Sequence, residues 1–144
     1  MCGIGGVVLP GRGEVSAAVL AGMREAMRER GPDDHGVWTA PGVGLVHTRL
    51  SIIDLSPAGA QPMVSASGRY VITYNGEIYN AQDFAPELVA RGVTFRGHSD
   101  TEVLVEAIDA WGLEATLRRI NGMFAFSVWD REAVSYTHLT LPTN

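Results

Sequence analysis

The sequence predicts one globular domain of mixed helix and strand, of the α+β class. Short apolar or β-branched runs at 4–9, 43–50, 70–74 and 123–129 are bounded by glycine, proline or polar residues, as strands are. Three other stretches, 16–30, 80–92 and 99–112, change to the three-to-four spacing of a helix and end on glycine. Between 36–39 and 43–50 lies the turn pair Pro41-Gly42, so those two strands are joined directly as a hairpin.

Composition narrows the function classes. A chain of 144 residues with 46% hydrophobic content supports one real core. Its single cysteine cannot form an internal disulfide, and no basic stretch precedes a long apolar run, so the cytoplasm is the expected compartment. No apolar run nears the ~18 residues of a membrane span. The net charge of −5 without a basic block argues against a nucleic-acid partner and favours a small polar ligand. The four histidines, His35, His47, His98 and His138, show no ligand spacing, so no metal site is expected.

Taken in order, Ile4 to Leu9 reads as a strand covered on both faces. Its glycines, Gly3, Gly5 and Gly6, lie before and within the strand and so do not make a dinucleotide fingerprint. From Ser16 to Arg30, Val19, Met23, Ala26 and Met27 share one helical face, with the methionines as core filler, and Gly31-Pro32 stops the helix. Tyr70 to Tyr74 is a strand that meets Asn75-Gly76. By spacing this is either a plain hairpin turn or a tight glycine turn leading into the helix that Asn80 would cap. The second arrangement leaves backbone N–H groups pointing outward, as an oxyanion hole does.

Ser99-Asp100-Thr101-Glu102 is a capping box opening the helix that carries Val103, Leu104, Ala107, Ile108 and Trp111 on one side. Asp100 then lies where the helix dipole favours a carboxylate. Gly97-His98-Ser99-Asp100 approaches the elbow of serine hydrolases, but Thr101 stands where the last glycine is needed. Leu113 to Ile120 makes a short helix, and Met123 to Trp129 a strongly apolar strand. The segment 136–142 alternates weakly, with no turn or partner strand after it.

Cys2 is the residue that organises the chemistry. It follows Met1 directly, and removal of Met1 would give one residue both a thiol and a free α-amino group. With a reference pKa of ~7.7–8.0, that amine can accept the thiol proton near neutral pH. Nucleophile and base then come from one terminal residue.

Together Met1-Cys2-Gly3-Ile4, Arg30-Gly31-Pro32-Asp33, Arg49-Leu50-Ser51-Ile52-Ile53-Asp54, Asn75-Gly76-Glu77-Ile78-Tyr79-Asn80, Ser99-Asp100-Thr101-Glu102 and Asn121-Gly122-Met123-Phe124-Ala125-Phe126 form an ordered, specific set. The set resembles the class II glutamine amidotransferase domain of glutamine-hydrolysing asparagine synthetases. The resemblance implies an N-terminal-nucleophile hydrolase fold, a four-layer αββα sandwich of two antiparallel sheets, here incomplete at its C-terminus. It also implies roles: Cys2 as nucleophile, and the Asn75 side chain with the Gly76 N–H as the oxyanion hole. Arg49 would pair with the α-carboxylate of L-glutamine, and Glu77 and Asp100 would hold its α-ammonium group. Backbone groups of Leu50, Ser51, Ile52 and Ile53 would line the pocket.

The same resemblance implies a glutaminase that makes glutamate and ammonia for a synthetase domain using ATP and magnesium. No such domain and no Ser-Gly-Gly-type pyrophosphate loop is found in these residues, so no cofactor is expected on this chain, and a homodimer is left open. The domain is expected to cover 1–132 in part, with 133–144 as a foreign tail that does not resemble the family. The alternatives are a glutamine-binding module without turnover and an amidotransferase domain serving another acceptor.

Overall fold

Two antiparallel sheets form the centre of the molecule. The computed structural model describes residues 1–52 and 55–133 in full, and 135–140 as backbone. The first sheet has the order β1 (Gly3–Val8), β3 (Val43–Arg49), β2 (Asp34–Ala40). The second has the order β4 (Met63–Val64), β5 (Tyr70–Ile78), β6 (Gly122–Asp130), β7 (Ser135–Thr140). Helix α1 (Ala17–Ala26) packs on the outer face of the first sheet; α2 (Ala81–Ala90) and α3 (Asp100–Trp111) cover the second, with α4 (Leu113–Leu117) beside α3. The layers are therefore αββα.

Burial explains the layering. Every residue of β3 is buried, because that strand is central in its sheet and covered on both faces. Val43 and Leu45 meet Val71 and Trp129 between the sheets, while Val46 turns the other way to Leu20 and Val15. Under α2 and α3 lies the main core, with Phe126, Ile72, Leu88, Leu104 and Ile108 all fully buried. An apolar face presented by each layer to the next is what holds two sheets and their helices together.

Several sequence expectations need correction. β1 is an edge strand, and Val8 stands 47% exposed, so the strand is not covered on both faces. In α1 the buried position is Leu20, not Val19, which is exposed; the helix ends at Ala26 and a 3₁₀ turn spans Arg28–Arg30. Met23 and Met27 do pack as core filler. At Asn75-Gly76 there is neither a hairpin turn nor a strand-to-helix turn. β5 continues through both residues to Ile78, and the chain turns only at Tyr79-Asn80.

Gly76 serves that strand by its lack of a side chain. A Cβ there would fall 2.3 Å from the Met123 carbonyl oxygen and 2.5 Å from Phe124 Cα, so β6 can approach only a glycine. Gly122 meets Glu77 on the same terms, its Cβ position being 2.1 Å from the Glu77 oxygen. Asn80 occupies the N-cap position of α2 but does not cap it. Its side chain donates to the Arg119 carbonyl and accepts from the Asn121 N–H, at 2.8 Å each. The weakly alternating stretch after residue 134 pairs back onto β6 as β7, with Trp129 opposite Tyr136.

Candidate active site

Strand periodicity brings the chemistry to one opening between the sheets. In β3 the side chains of Leu45, His47 and Arg49 alternate onto the face that looks toward the second sheet. β1 pairs with β3 with Gly3 opposite Thr48, so one further step sets Cys2 opposite Arg49 on that same face. In β5, Val71 and Thr73 face the first sheet, so Asn75 and Glu77 do too. Tyr74 and Ile78 instead point to the helices. Three strands thus end with their functional side chains around one gap, which the start of α3 closes.

The gap is a cavity of about 310 Å³. It is lined by Cys2, Arg49, Leu50, Ser51, Ile52, Asn75, Gly76, Glu77 and Asp100, together with Met1, Gly59, Gln61, Tyr74, Ser99, Thr101 and Met123. Every expected site residue is on that wall except Ile53, which lies outside the described residues. The volume sits at the low end of the ~300–1,000 Å³ typical of small-ligand sites, which suits one amino-acid-sized molecule.

Three of the lining side chains, those of Cys2, Arg49 and Asp100, are held by neighbours. The Cys2 thiol lies against the Leu50 backbone: the Leu50 N–H donates to Sγ at 3.4 Å, and Sγ reaches the Leu50 carbonyl at 3.6 Å. Arg49 is buried, and its guanidinium donates to the Ser56 carbonyl at 3.1 Å. Asp100 Oδ2 accepts from the Tyr74 hydroxyl at 2.7 Å and from the Ile78 N–H at 2.9 Å. Burial and the Asp100 carboxylate both push the Tyr74 phenol well above its usual range, so it stays a donor. The Glu77 side chain, by contrast, is exposed and makes no hydrogen bond or ion pair among the described residues.

Several contributing residues carried no assigned role in the sequence reading. Arg30 Nε donates to the Cys2 carbonyl at 3.2 Å, and Asp33 Oδ2 accepts from the Ser51 N–H at 2.7 Å. Gly31 lets that segment lie on β3, since a Cβ would sit 2.3 Å from the Thr48 carbonyl. Arg30-Gly31-Pro32-Asp33 therefore ties Cys2 to the Ser51 segment on the cavity wall. Gln61 and Tyr74 gave no signal, because a loop glutamine and a strand tyrosine are ordinary residues until their partners are known.

The capping box is half formed. Ser99 Oγ accepts from the Glu102 N–H at 3.2 Å, but the Glu102 carboxylate turns to Arg96 and Gly97 instead of Ser99. Glu102 is 1% exposed and accepts from both those backbone N–H groups and from Arg96 Nε. It thereby fixes the loop that leads into Asp100. Among the described residues no group of three or more His, Cys, Asp or Glu side chains could hold a metal ion, and no helix is long and apolar enough to cross a membrane.

A family model described as "Glutamine amidotransferase domain" matches residues 1–139. The chain is 43% identical over 112 residues to asparagine synthetase [glutamine-hydrolyzing] 3 of Bacillus subtilis, covering 76% of this chain and 18% of that protein. It is 41% identical over 110 residues to asparagine synthetase B [glutamine-hydrolyzing] of Escherichia coli, covering 76% and 19%. The chain thus spans less than a fifth of the length of these relatives. Among solved structures, glutamine phosphoribosylpyrophosphate amidotransferase from B. subtilis superposes with a TM-score of 0.51 at 24% identity, over 63% of this chain and 22% of that one. That likeness shows the fold, an αββα sandwich. With the family model spanning nearly its whole length, the chain belongs to the family of glutamine amidotransferase domains.

Proposed function

We propose that this domain hydrolyses L-glutamine to glutamate and ammonia through a thioester on Cys2. The observation that carries the reading is one cavity walled by Cys2, Arg49, Asn75-Gly76 and two carboxylates, Glu77 and Asp100. These groups complement a substrate with an α-carboxylate, an α-ammonium and a side-chain amide. Arg49 pairs with the carboxylate, which its planar fork suits better than a lysine would. Glu77 and Asp100 take the ammonium end, and the backbone of 50–53 lines the pocket.

With Met1 removed, the Cys2 α-amine accepts the thiol proton as Sγ attacks the side-chain amide carbon. The tetrahedral oxyanion is held by the Gly76 N–H and the Asn75 side chain, each such donor being worth roughly 3–4 kcal/mol in comparable sites. As the intermediate collapses, the α-ammonium returns the proton to the leaving nitrogen, and ammonia departs. Water, deprotonated by the same amine, then attacks the thioester, releasing glutamate and the thiol. The ammonia is destined for a synthetase domain like that implied by the relatives' names, where ATP and magnesium would act. The acceptor is aspartate in that reading.

Met1 decides whether the domain is a glutaminase or only a glutamine-binding module, since a retained Met1 keeps the Cys2 nitrogen in a peptide bond. Mass measurement of the N-terminus, followed by treatment with a glutamine-analogue electrophile, tests both. The processed chain is expected to gain one label on Cys2. Labelling that persists in Cys2→Ala removes the assignment.

A further inference from the structure

The open edge of β5 is closed on either side of Gly76 by side chains instead of by a strand. β4 pairs with β5 only at Met63 to Ile72 and Val64 to Val71. Beyond that point the Tyr74 N–H donates to Gln61 Oε1 at 2.6 Å, and the Ile78 N–H donates to Asp100 Oδ2 at 2.9 Å. Glu77 presents its carbonyl to Gly122, and the Tyr79 N–H donates to Asn121. Odd residues therefore face β6, and even residues face the open edge. Backbone alternation puts the Gly76 N–H on that edge, between the Gln61 amide and the Asp100 carboxylate, where Gly76 lines the cavity.

Resting on the glutaminase reading, we infer that Gln61 is a positioning residue for the oxyanion site: its side chain stands in for a missing strand and holds the Gly76 N–H aimed into the cavity. Its own orientation is fixed from three directions. Nε2 donates to Thr101 Oγ1 at 3.2 Å, joining it to the first turn of α3, and Oε1 is taken by Tyr74. Behind it, its carbonyl presses on β2 where only a glycine fits, the Cβ position of Gly36 being 1.9 Å away. Gln61 is 9% exposed and Thr101 3%, so the link is shielded from bulk solvent. A strand in place of Gln61 would pair with the Gly76 N–H as well; an amide side chain satisfies one N–H and stops.

Gln61→Met keeps the length of the side chain and removes both bonds. In the full chain, amide hydrogen exchange at Tyr74 is expected to speed up at least about tenfold, with a shift of the Gly76 amide resonance. The kcat for glutamine hydrolysis should fall about 10–100-fold, part of what losing an oxyanion donor costs, while KM changes less than about threefold. Gln61→Glu retains an acceptor for the Tyr74 N–H and should restore its protection. A kcat within about twofold of the original, or a KM that rises in step with the loss of kcat, overturns the inference. If the unmodified chain hydrolyses no glutamine, the glutaminase reading fails by itself. The amides then decide the role of Gln61, and unchanged Tyr74 and Gly76 signals in Gln61→Met would overturn it.

Discussion

His47 makes the stability of this domain depend on mildly acidic pH. It lies in the middle of the sandwich, 1% exposed, with Nε2 donating to the Tyr74 carbonyl at 3.2 Å and Nδ1 buried without a partner among the described residues. Burial is the main cause that lowers its pKa from 6.5 to about 4, and the nearby Arg49 charge adds to it, against smaller raising effects from Tyr74 and Asp34. The unfolded chain takes up a proton near 6.5, whereas the folded one resists until about 4. The stabilisation from a neutral His47 is therefore complete above ~6.5 and is lost as the pH falls toward 4. At ~1.4 kcal/mol per pH unit, the loss reaches about 2 kcal/mol at pH 5 and about 3 kcal/mol at pH 4. Urea unfolding at about pH 7.5 and pH 5, with the original chain and His47→Gln, isolates it, because the glutamine amide can still donate to Tyr74 but does not titrate. The original chain should lose about 2 kcal/mol more than the variant between the two conditions. Equal losses in both would refute the burial argument.

Gly76→Ala is expected to force β5 away from β6, costing about 1–3 kcal/mol in denaturant unfolding and removing most glutamine hydrolysis. Arg49→Lys should raise KM for glutamine at least about tenfold with a smaller change in kcat, because one ammonium cannot reproduce a bidentate carboxylate contact; an unchanged KM would count against its role. Glu102→Ala leaves the Arg96 and Gly97 N–H groups without their acceptor and should cost about 2 kcal/mol or more in stability. Asp100→Ala should lower both stability and glutamine affinity, measured by unfolding and calorimetry, whereas Glu77→Gln should lower affinity alone.

The parts of the fold legible in the sequence were those with a local period. The Pro41-Gly42 hairpin, the strongly apolar β6 and the helix after Ser99 each announce themselves within one window. What the sequence hid was decided by packing. Val19 and Leu20 are equally apolar neighbours, and only the position of the first sheet buries Leu20. Asn75-Gly76 carries strong turn chemistry, yet pairing with β6 keeps it extended, because the glycine is needed for close approach and not for a bend. The expected pocket residues were legible as a set of motifs, but their bracing was not. Gln61, Tyr74 and Arg30 act through partners 13 to 40 positions away, and no spacing rule encodes such distances.

The two acids of the cavity differ in how they are held. Asp100 Oδ2 is already occupied by Tyr74 and Ile78, so this carboxylate joins the first turn of α3 to the edge of β5 before any ligand arrives. Burying it is tolerable because the two donors and the helix dipole offset its desolvation. Glu77 has no such commitments and stands at the cavity mouth. A braced carboxylate and an exposed one thus share one wall of the cavity. The same logic applies across the gap, where Cys2 is held through its carbonyl by Arg30 and through its thiol by Leu50, leaving its nitrogen as the part whose state depends on Met1. Under the glutaminase reading, the fold braces the thiol, while the state of the nitrogen depends on removal of Met1.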